Sequence, residues 1–421
     1  MNSRLVRVLA AACVAAFCLP SVSAAQRGGG GLSVETDKLP PLSQGPDPGP
    51  DLNAAAVKAF NKTKGRELRA ALSGPVAGNE KVLLEAAQHF ARRFTVEEDR
   101  SDLPGVADDI DTQLDLRAKQ DVPAFLKEAY ANAYLPLLYH PDPLVRTNIV
   151  LALSRLNERR GASLQDPQVP YWQVYRALVS VLEDAERKPA ERLRASEGLR
   201  RIVQFSDIPR KDRDAIIKRS ADVLDALRES VLDGGRDEWY LLVRVAELLG
   251  DADAALTLLR QPRPVEALLA LVKDERQHWW PRAAALRQIS RLKLRDDPSF
   301  DVGEMAKLSA AFVQDMLKAY NEKPSEWYWR RAFAEVLLAF EPPTQEALDR
   351  GEGFLGTVAN PTHRKHADAV RAAYEASLPV FRAVSAMDPT KMTAVPDGAQ
   401  KSLAEFAEAN PPAGKIHPQI N

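Results

Sequence analysis

The feature that most constrains the fold is a helical pattern that recurs at intervals of 46, 50, 40 and 48 residues. In each copy, mainly small or apolar residues follow a register position at offsets of +3, +6, +7 and +10. In chain order, the five register positions are Arg146, Arg192, Leu242, Arg282 and Arg330. Regular spacing of this size is typical of stacked helical repeats. The pattern therefore favours a binding scaffold over a catalyst.

A second amphipathic segment precedes each register helix, with apolar residues three or four positions apart. These segments cover 125–138, 174–182, 216–231, 265–272 and 305–320. Pro or Asp often stands just before the register helix, where a helix start tolerates a missing N–H. No segment shows the sustained apolar–polar alternation of a strand, so we predict no sheet and an all-α fold.

Paired helices with this turn chemistry, and with an Arg followed by Ala-like and Leu-like residues, resemble HEAT repeats. The best match is 142–153, followed by 192–199. The resemblance covers about 122–340 and departs at Leu242, which replaces the Arg, and at Gln288, a polar residue on the core face. It implies an α-solenoid of stacked antiparallel helical hairpins. An irregular helical domain is the alternative.

Residues 1–24 have the layout of a secretory signal peptide. Arg4 and Arg7 precede an apolar run over 8–19, and Val22 and Ala24 supply small residues at the −3 and −1 positions of a cleavage site. The run is too short to cross a bilayer as a helix, which needs about 20 residues. A retained anchor is the alternative. We expect an exported protein, periplasmic or secreted, with no transmembrane segment after cleavage.

Cleavage would also remove every cysteine and two cations. Cys13 and Cys18 are the only cysteines, so the mature chain would hold no disulfide and no thiolate nucleophile. Loss of Arg4 and Arg7 moves the formal net charge from −1 to −3. That balance does not support nucleic-acid binding, which depends on excess Lys and Arg.

The rest of the chain divides by composition and periodicity. A Gly/Pro-rich flexible linker is predicted over 25–52, and an N-terminal helical segment over 53–120 combines a degenerate repeat with an acidic insert. HEAT-like repeats follow over 121–340. A C-terminal helical cap is predicted over 341–386, and a mobile tail over 387–421.

No motif for catalysis, cofactor binding or metal binding is present. The sequence lacks the Gly-x-Ser-x-Gly elbow and both common phosphate-binding loops. His363 and His366 are one helical turn apart, but zinc needs further ligands and two cations stand between them. We interpret this pair as a solvated helix start. His89 and His278 are interpreted as packed or rim histidines.

The functional prediction rests on aromatic residues near the starts of the last three register helices. Five of the six tryptophans lie there with tyrosines and flanking arginines. The predicted partner-binding residues are Trp239, Tyr240, Trp279, Trp280, Trp327, Tyr328, Trp329, Arg282, Arg330 and Arg331. Such rings with nearby Arg are the usual anchors of protein-binding surfaces. The alternative is that they fill gaps between repeats, and we expect this for about half of them.

The sequence therefore predicts an exported, non-catalytic scaffold that binds a protein or peptide of unspecified identity. The alternative is a carbohydrate-binding protein or glycan-active enzyme, with Trp rings stacking on sugars and Glu238, Glu326 and Glu335 as acids. Two carboxylates facing each other across a cleft would favour that alternative. A passive spacer is a third interpretation. The sequence does not specify the oligomeric state.

Overall fold

The computed structural model describes residues 32–98, 105–106, 121–159, 168–230, 236–388 and 390–420. Within these ranges the protein is all-α apart from one short antiparallel strand pair. The predicted signal peptide and the glycines at 28–31 lie outside the described residues, as does most of the predicted acidic insert.

Sixteen α-helices and two strands occur in the described residues. The helices are α1 (Ala54–Ser73), α2 (Glu80–Arg92), α3 (Val122–Leu137), α4 (Pro143–Arg155), α5 (Tyr175–Glu183), α6 (Pro189–Phe205), α7 (Arg210–Ser230), α8 (Arg236–Asp251), α9 (Arg263–Lys273), α10 (Trp279–Arg291), α11 (Val302–Glu322), α12 (Trp329–Phe340), α13 (Gln345–Asp349), α14 (Gly353–Ala359), α15 (Ala367–Ala386) and α16 (Asp397–Ala409). The strands are β1 (Asn157–Arg159) and β2 (Val169–Pro170). The strand pair differs from the expectation of no sheet.

The five register positions lie in α4, α6, α8, α10 and α12, and each of these helices packs against the next in that order. Each of α5, α7, α9 and α11 packs against the register helix that follows it, and α7 also contacts α5 and α9. Most of the predicted apolar offsets are buried, including Ile149, Leu199 and Ile289, each 0% exposed. Burying one such side chain contributes about 1.5–3 kcal/mol.

Two of the four register arginines, Arg192 and Arg282, share a structural function. The Nε of Arg192 donates to the Leu182 carbonyl at 2.9 Å, and the Nε of Arg282 donates to the Val272 carbonyl at 2.9 Å. Each acceptor belongs to the last turn of the preceding helix, where carbonyls have no intrahelical partner. Each of these two arginines therefore joins its register helix to the helix that precedes it in the chain.

A second hydrogen bond joins neighbouring hairpins. The Nη1 of Arg187 donates to the Leu138 carbonyl at 2.8 Å, and the Nε2 of Gln277 donates to the Arg228 carbonyl at 2.6 Å. The two donors, Arg187 and Gln277, are 90 residues apart in the sequence, and the two acceptors, Leu138 and Arg228, are also 90 residues apart. The same contact thus recurs two register positions later.

Gln288, the predicted departure on the core face, is accommodated by a glycine. Its side chain is 1% exposed, and its Oε1 accepts a hydrogen bond from Arg291 at 2.9 Å. A Cβ atom at Gly250 of α8 would lie 2.2 Å from that oxygen. Between α4 and α6 the glycine is on the later helix and the larger residue on the earlier one. A Cβ atom at Gly198 of α6 would lie 2.5 Å from the Oγ of Ser154 in α4. A small residue therefore faces a larger one at both interfaces.

Residues 32–52, expected as a flexible linker, pack against the helical body. Leu39 is 4% exposed and its N–H donates to the Oγ of Ser180 at 3.1 Å. The N–H of Leu42 donates to Asp184 at 2.9 Å, and Val34 is 5% exposed. We name this segment the N-terminal strap. The linker prediction is wrong here because buried leucine and valine and backbone hydrogen bonds fix the chain.

The region 387–420, expected as a mobile tail, also folds onto the body. The α16 helix packs against α11 and α15, and Leu403 is fully buried. The Tyr320 hydroxyl donates to the Thr393 carbonyl at 2.6 Å, and the N–H of Asp301 donates to the Ile416 carbonyl at 2.8 Å. The mobile-tail prediction is wrong because it gave too little weight to apolar residues that are scattered along this segment without helical periodicity.

Candidate partner-binding surface

The three aromatic clusters meet at the N-terminal ends of α8, α10 and α12. Because these helices pack side by side, rings that are 39 to 50 residues apart in sequence come into contact. We name this assembly the aromatic edge. Its members are Trp239, Tyr240, His278, Trp279, Trp280, Trp327, Tyr328 and Trp329.

The innermost rings belong to the core between hairpins. Trp329 is 1% exposed and its Nε1 donates to the Lys323 carbonyl at 2.7 Å. Its ring centroid lies 6.2 Å from that of Trp279, which also packs against Phe312 at 5.6 Å. These contacts stabilise the helix packing, as we expected for about half of the rings.

His278 links the clusters, and sequence reasoning did not place it in the surface. Its ring stacks on Trp239 at 3.7 Å and meets Tyr328 edge-on at 4.1 Å. Its Nδ1 accepts the N–H of Trp280 at 3.2 Å, which caps α10. Burial lowers the pKa of His278 to about 4, so the ring is neutral at pH 7. A His before a Trp-Trp pair at a helix start was the available signal.

Tyr240, Trp280 and Trp327 form the outer rings of the aromatic edge, and of these three Trp327 is the exposed one. Trp280 is 2% exposed beneath the edge and contacts Tyr240 at 5.9 Å and Trp327 at 5.7 Å. Trp327 is 49% exposed. The Trp280 Nε1 is buried and has no hydrogen-bond partner within the described structure. The exposed ring therefore rests on a packed aromatic layer.

Two arginines lie over the outer rings. The guanidinium of Arg331 is 4.3 Å from the centroid of Trp280, and that of Arg244 is 4.6 Å from the centroid of Tyr240. Arg244 also donates to the Tyr240 hydroxyl. Cation–π contacts of this kind contribute about 0.5–2 kcal/mol. Arg244 was missed because it lies one helical turn beyond Tyr240, outside the aromatic cluster in the sequence.

The structure separates the three predicted arginines. Arg282 is 6% exposed and caps the preceding helix, so it does not present its charge to a partner. Arg330 is exposed and donates to the Ser385 carbonyl at 3.3 Å. Arg331 alone combines exposure with a position over the aromatic rings. The prediction for Arg282 is corrected because its register position points it inward.

Of the three acids of the carbohydrate alternative, Glu335 is bound by two arginines. Glu335 is 6% exposed, and its carboxylate lies 2.9 Å from Arg287 and 3.8 Å from Arg331. Glu326 is exposed and Glu238 is half-buried. A carboxylate held by two arginines is poorly placed to donate a proton to a leaving group.

Two surface cavities are lined by residues outside the aromatic edge. One of about 520 Å³ lies beside α13, α14 and α15, with Arg295, Arg371 and Leu355 among its lining residues. The other, of about 280 Å³, is lined by Arg200, Asp251 and residues of α10, α12, α13 and α14.

The histidine pair of the sequence differs from the expected solvated helix start. His363 is fully buried, and its Nε2 lies 2.9 Å from the Leu294 carbonyl. The Nδ1 of His366 lies 3.3 Å from Asp301. Among the described residues, no group of three or more His, Cys, Asp or Glu is placed to hold a metal ion. None of the described helices has the length and apolar character needed to cross a membrane.

No protein-family model matches the chain, and no match was found among the curated proteins or the solved structures.

Proposed function

We propose that the protein is an exported scaffold of HEAT-like helical hairpins that binds a protein or peptide and breaks no bond. The main support for this proposal is the exposure of Trp327. This residue is 49% exposed and rests on an aromatic layer built from three successive register helices. Covering the rest of such a ring removes about 100 Å² of apolar surface from water, which contributes about 2–3 kcal/mol. Supported aromatic rings with adjacent arginines are common binding anchors.

The α-solenoid architecture is part of this proposal. It is supported by the ordered packing of α4, α6, α8, α10 and α12, and by the interhelical hydrogen bonds that recur after 90 residues. In a solenoid each hairpin mainly contacts its neighbours, so the array offers a long surface for a partner.

The test is capture of partners from the exported fraction of the native host by crosslinking, with wild type and Trp327→Ala compared. Trp327 is half-exposed, so its truncation should leave the fold intact, and the captured partner should be lost or reduced about tenfold or more. Phe205→Ala is the matched control, because Phe205 is 46% exposed at the far end of α6.

Retention of every partner by the Trp327 variant would refute a role for the aromatic edge. An oligosaccharide that quenches the tryptophan fluorescence of wild type but not of Trp327→Ala would instead support the carbohydrate alternative.

Export is tested separately by N-terminal sequencing of the protein recovered from the host. We expect the mature chain to begin at Ala25, after the small residues at 22 and 24. A chain that retains Arg4 and Arg7 and sediments with membranes would support the anchor alternative.

A further inference from the structure

A band of arginines runs from the aromatic edge across the register helices. It consists of Arg200 in α6, Arg244 in α8, Arg287 and Arg291 in α10, and Arg331 in α12. We name it the arginine face. The side chains of these five residues are between 21% and 46% exposed. Each side chain therefore presents part of its surface to solvent.

Within this band, the carboxylates are shared between arginines. Glu247 binds both Arg200 and Arg244, and Asp251 binds Arg200 at 2.6 Å and Arg291 at 2.7 Å.

Glu335 is shared in the same way, between Arg287 at 2.9 Å and Arg331 at 3.8 Å. Glu352 lies 4.0 Å from Arg291 but binds Arg350 more closely, at 2.8 Å. Five arginines thus share three carboxylates, which leaves two positive charges in excess.

The arginine face adjoins the aromatic edge, because Arg244 and Arg331 of that face contact the rings of Tyr240 and Trp280. Each has its guanidinium over an outer ring and one of the shared carboxylates beside it. The cavity of about 280 Å³, lined by Arg200, Arg287 and Arg291, lies along the same band. A ligand that lies on Trp327 can therefore extend onto guanidinium groups.

We propose that the partner presents an extended acidic peptide segment. An apolar side chain of the segment covers Trp327, and its carboxylates bind Arg331 and the arginines beyond it. This inference rests on the proposed function and names its ligand class. Carboxylates suit the two excess charges because guanidinium binds them with two parallel hydrogen bonds.

A nucleic acid fits this surface less well than an acidic peptide does. Glu247, Asp251 and Glu335 line the band and would repel a closely spaced phosphate backbone. Two excess cations neutralise few phosphates. A short acidic peptide can instead place its few charges opposite individual arginines.

The test uses fluorescein-labelled peptides of about ten residues and fluorescence anisotropy with the full mature chain. One peptide has glutamates flanking a central leucine, a second has glutamines in place of the glutamates, and a third has lysines. An oligothymidylate of similar length serves as a second polyanion. We expect the glutamate peptide to bind about tenfold or more tightly than the others, with an affinity that falls as salt rises.

Arg331→Glu and Trp327→Ala should each weaken binding of the glutamate peptide about tenfold. Arg364→Glu is the matched control, since Arg364 is exposed in the turn before α15 and should leave the affinity unchanged. Equal binding of the glutamate and glutamine peptides, absence of binding, or equal binding of the oligonucleotide would each overturn the inference.

The two proposals fail in different ways. If Trp327→Ala loses the native partner while Arg331→Glu retains it, the scaffold stands and the acidic ligand is wrong. If both variants retain the partner, the aromatic edge is not the binding surface.

Discussion

At the residue scale, one buried carboxylate holds two arginines from different hairpins. Glu191 is fully buried, accepts from the Nε and Nη2 of Arg146 at 2.9–3.1 Å, and lies 3.2 Å from the Nη1 of Arg187. Glu191→Gln keeps the shape but removes the carboxylate that binds the buried Arg146, and it leaves Arg187 with Asp184, at 3.2 Å, as its counterion. We expect a loss of about 3 kcal/mol in the free energy of unfolding by urea.

The control for this variant is Glu197→Gln. Glu197 binds Arg194 at 2.7 Å in a more exposed pair, so its loss should cost less than about 1 kcal/mol. Equal effects of the two variants would show that Glu191 does not anchor the packing of α4 against α6.

The pairing of Gly250 with Gln288 gives a second prediction at this scale. Gly250→Ala gains up to about 1 kcal/mol in helix propensity, but the new methyl overlaps Gln288 and should cost about 1–3 kcal/mol. We expect a net decrease in the urea midpoint. In a Gln288→Gly background the same change should raise the midpoint, because the overlap is gone. A decrease in both backgrounds would contradict the size pairing.

At the element scale, the N-terminal strap should behave as part of the folded body. We expect slow amide hydrogen exchange at Val34, Leu39 and Leu42, whose N–H groups donate to helix side chains. Leu39→Asp places a charge at a 4% exposed position and should raise strap exchange tenfold or more, without changing α8 to α12. Lys38→Ala, at a largely exposed position, should have little effect. Fast exchange in the wild-type strap would refute this packing.

At the scale of the whole molecule, stability should fall as the pH decreases from about 6.5 to about 4. Burial lowers the pKa of His89 and of His278 to about 4, from an ordinary value of 6.5. In that window the unfolded chain binds protons that the folded chain does not, so each histidine costs at most about 3 kcal/mol at the acid end. His89→Phe keeps the ring on Phe60 and should flatten the dependence of the urea midpoint on pH. An unchanged slope would contradict the assignment.

The helical register could be predicted because its physical basis is local. Apolar residues at fixed offsets must share one helix face, and Arg192 and Arg282 return to carbonyls only ten residues away. The aromatic clusters were found for the same reason, since each lies within three residues. The contact between the three clusters, in contrast, depends on how α8, α10 and α12 pack against one another.

The remaining features depend on contacts between distant residues. The N-terminal strap looks like a linker by composition, yet Leu39 meets Ser180, 141 residues later. Gln288 looks like a defect until Gly250 is placed opposite it. Arg244 contacts the aromatic edge because it follows Tyr240 by one turn on the same face of α8. No local pattern encodes these pairings.

The size pairing also bears on how such a chain can lengthen or shorten by recombination. Excision of residues 182–271 would preserve the interhelical hydrogen bonds, because Val272 would replace Leu182 and Gln277 would meet the Leu138 carbonyl. It would also bring Gln288 to the place of Gly198, against Ser154, where even a Cβ atom lies within 2.5 Å. The recurring hydrogen bonds would therefore tolerate removal of a 90-residue unit. The side-chain sizes would not, because each large residue fits only opposite its own glycine. Loss of a unit therefore requires a compensating Gln288→Gly change.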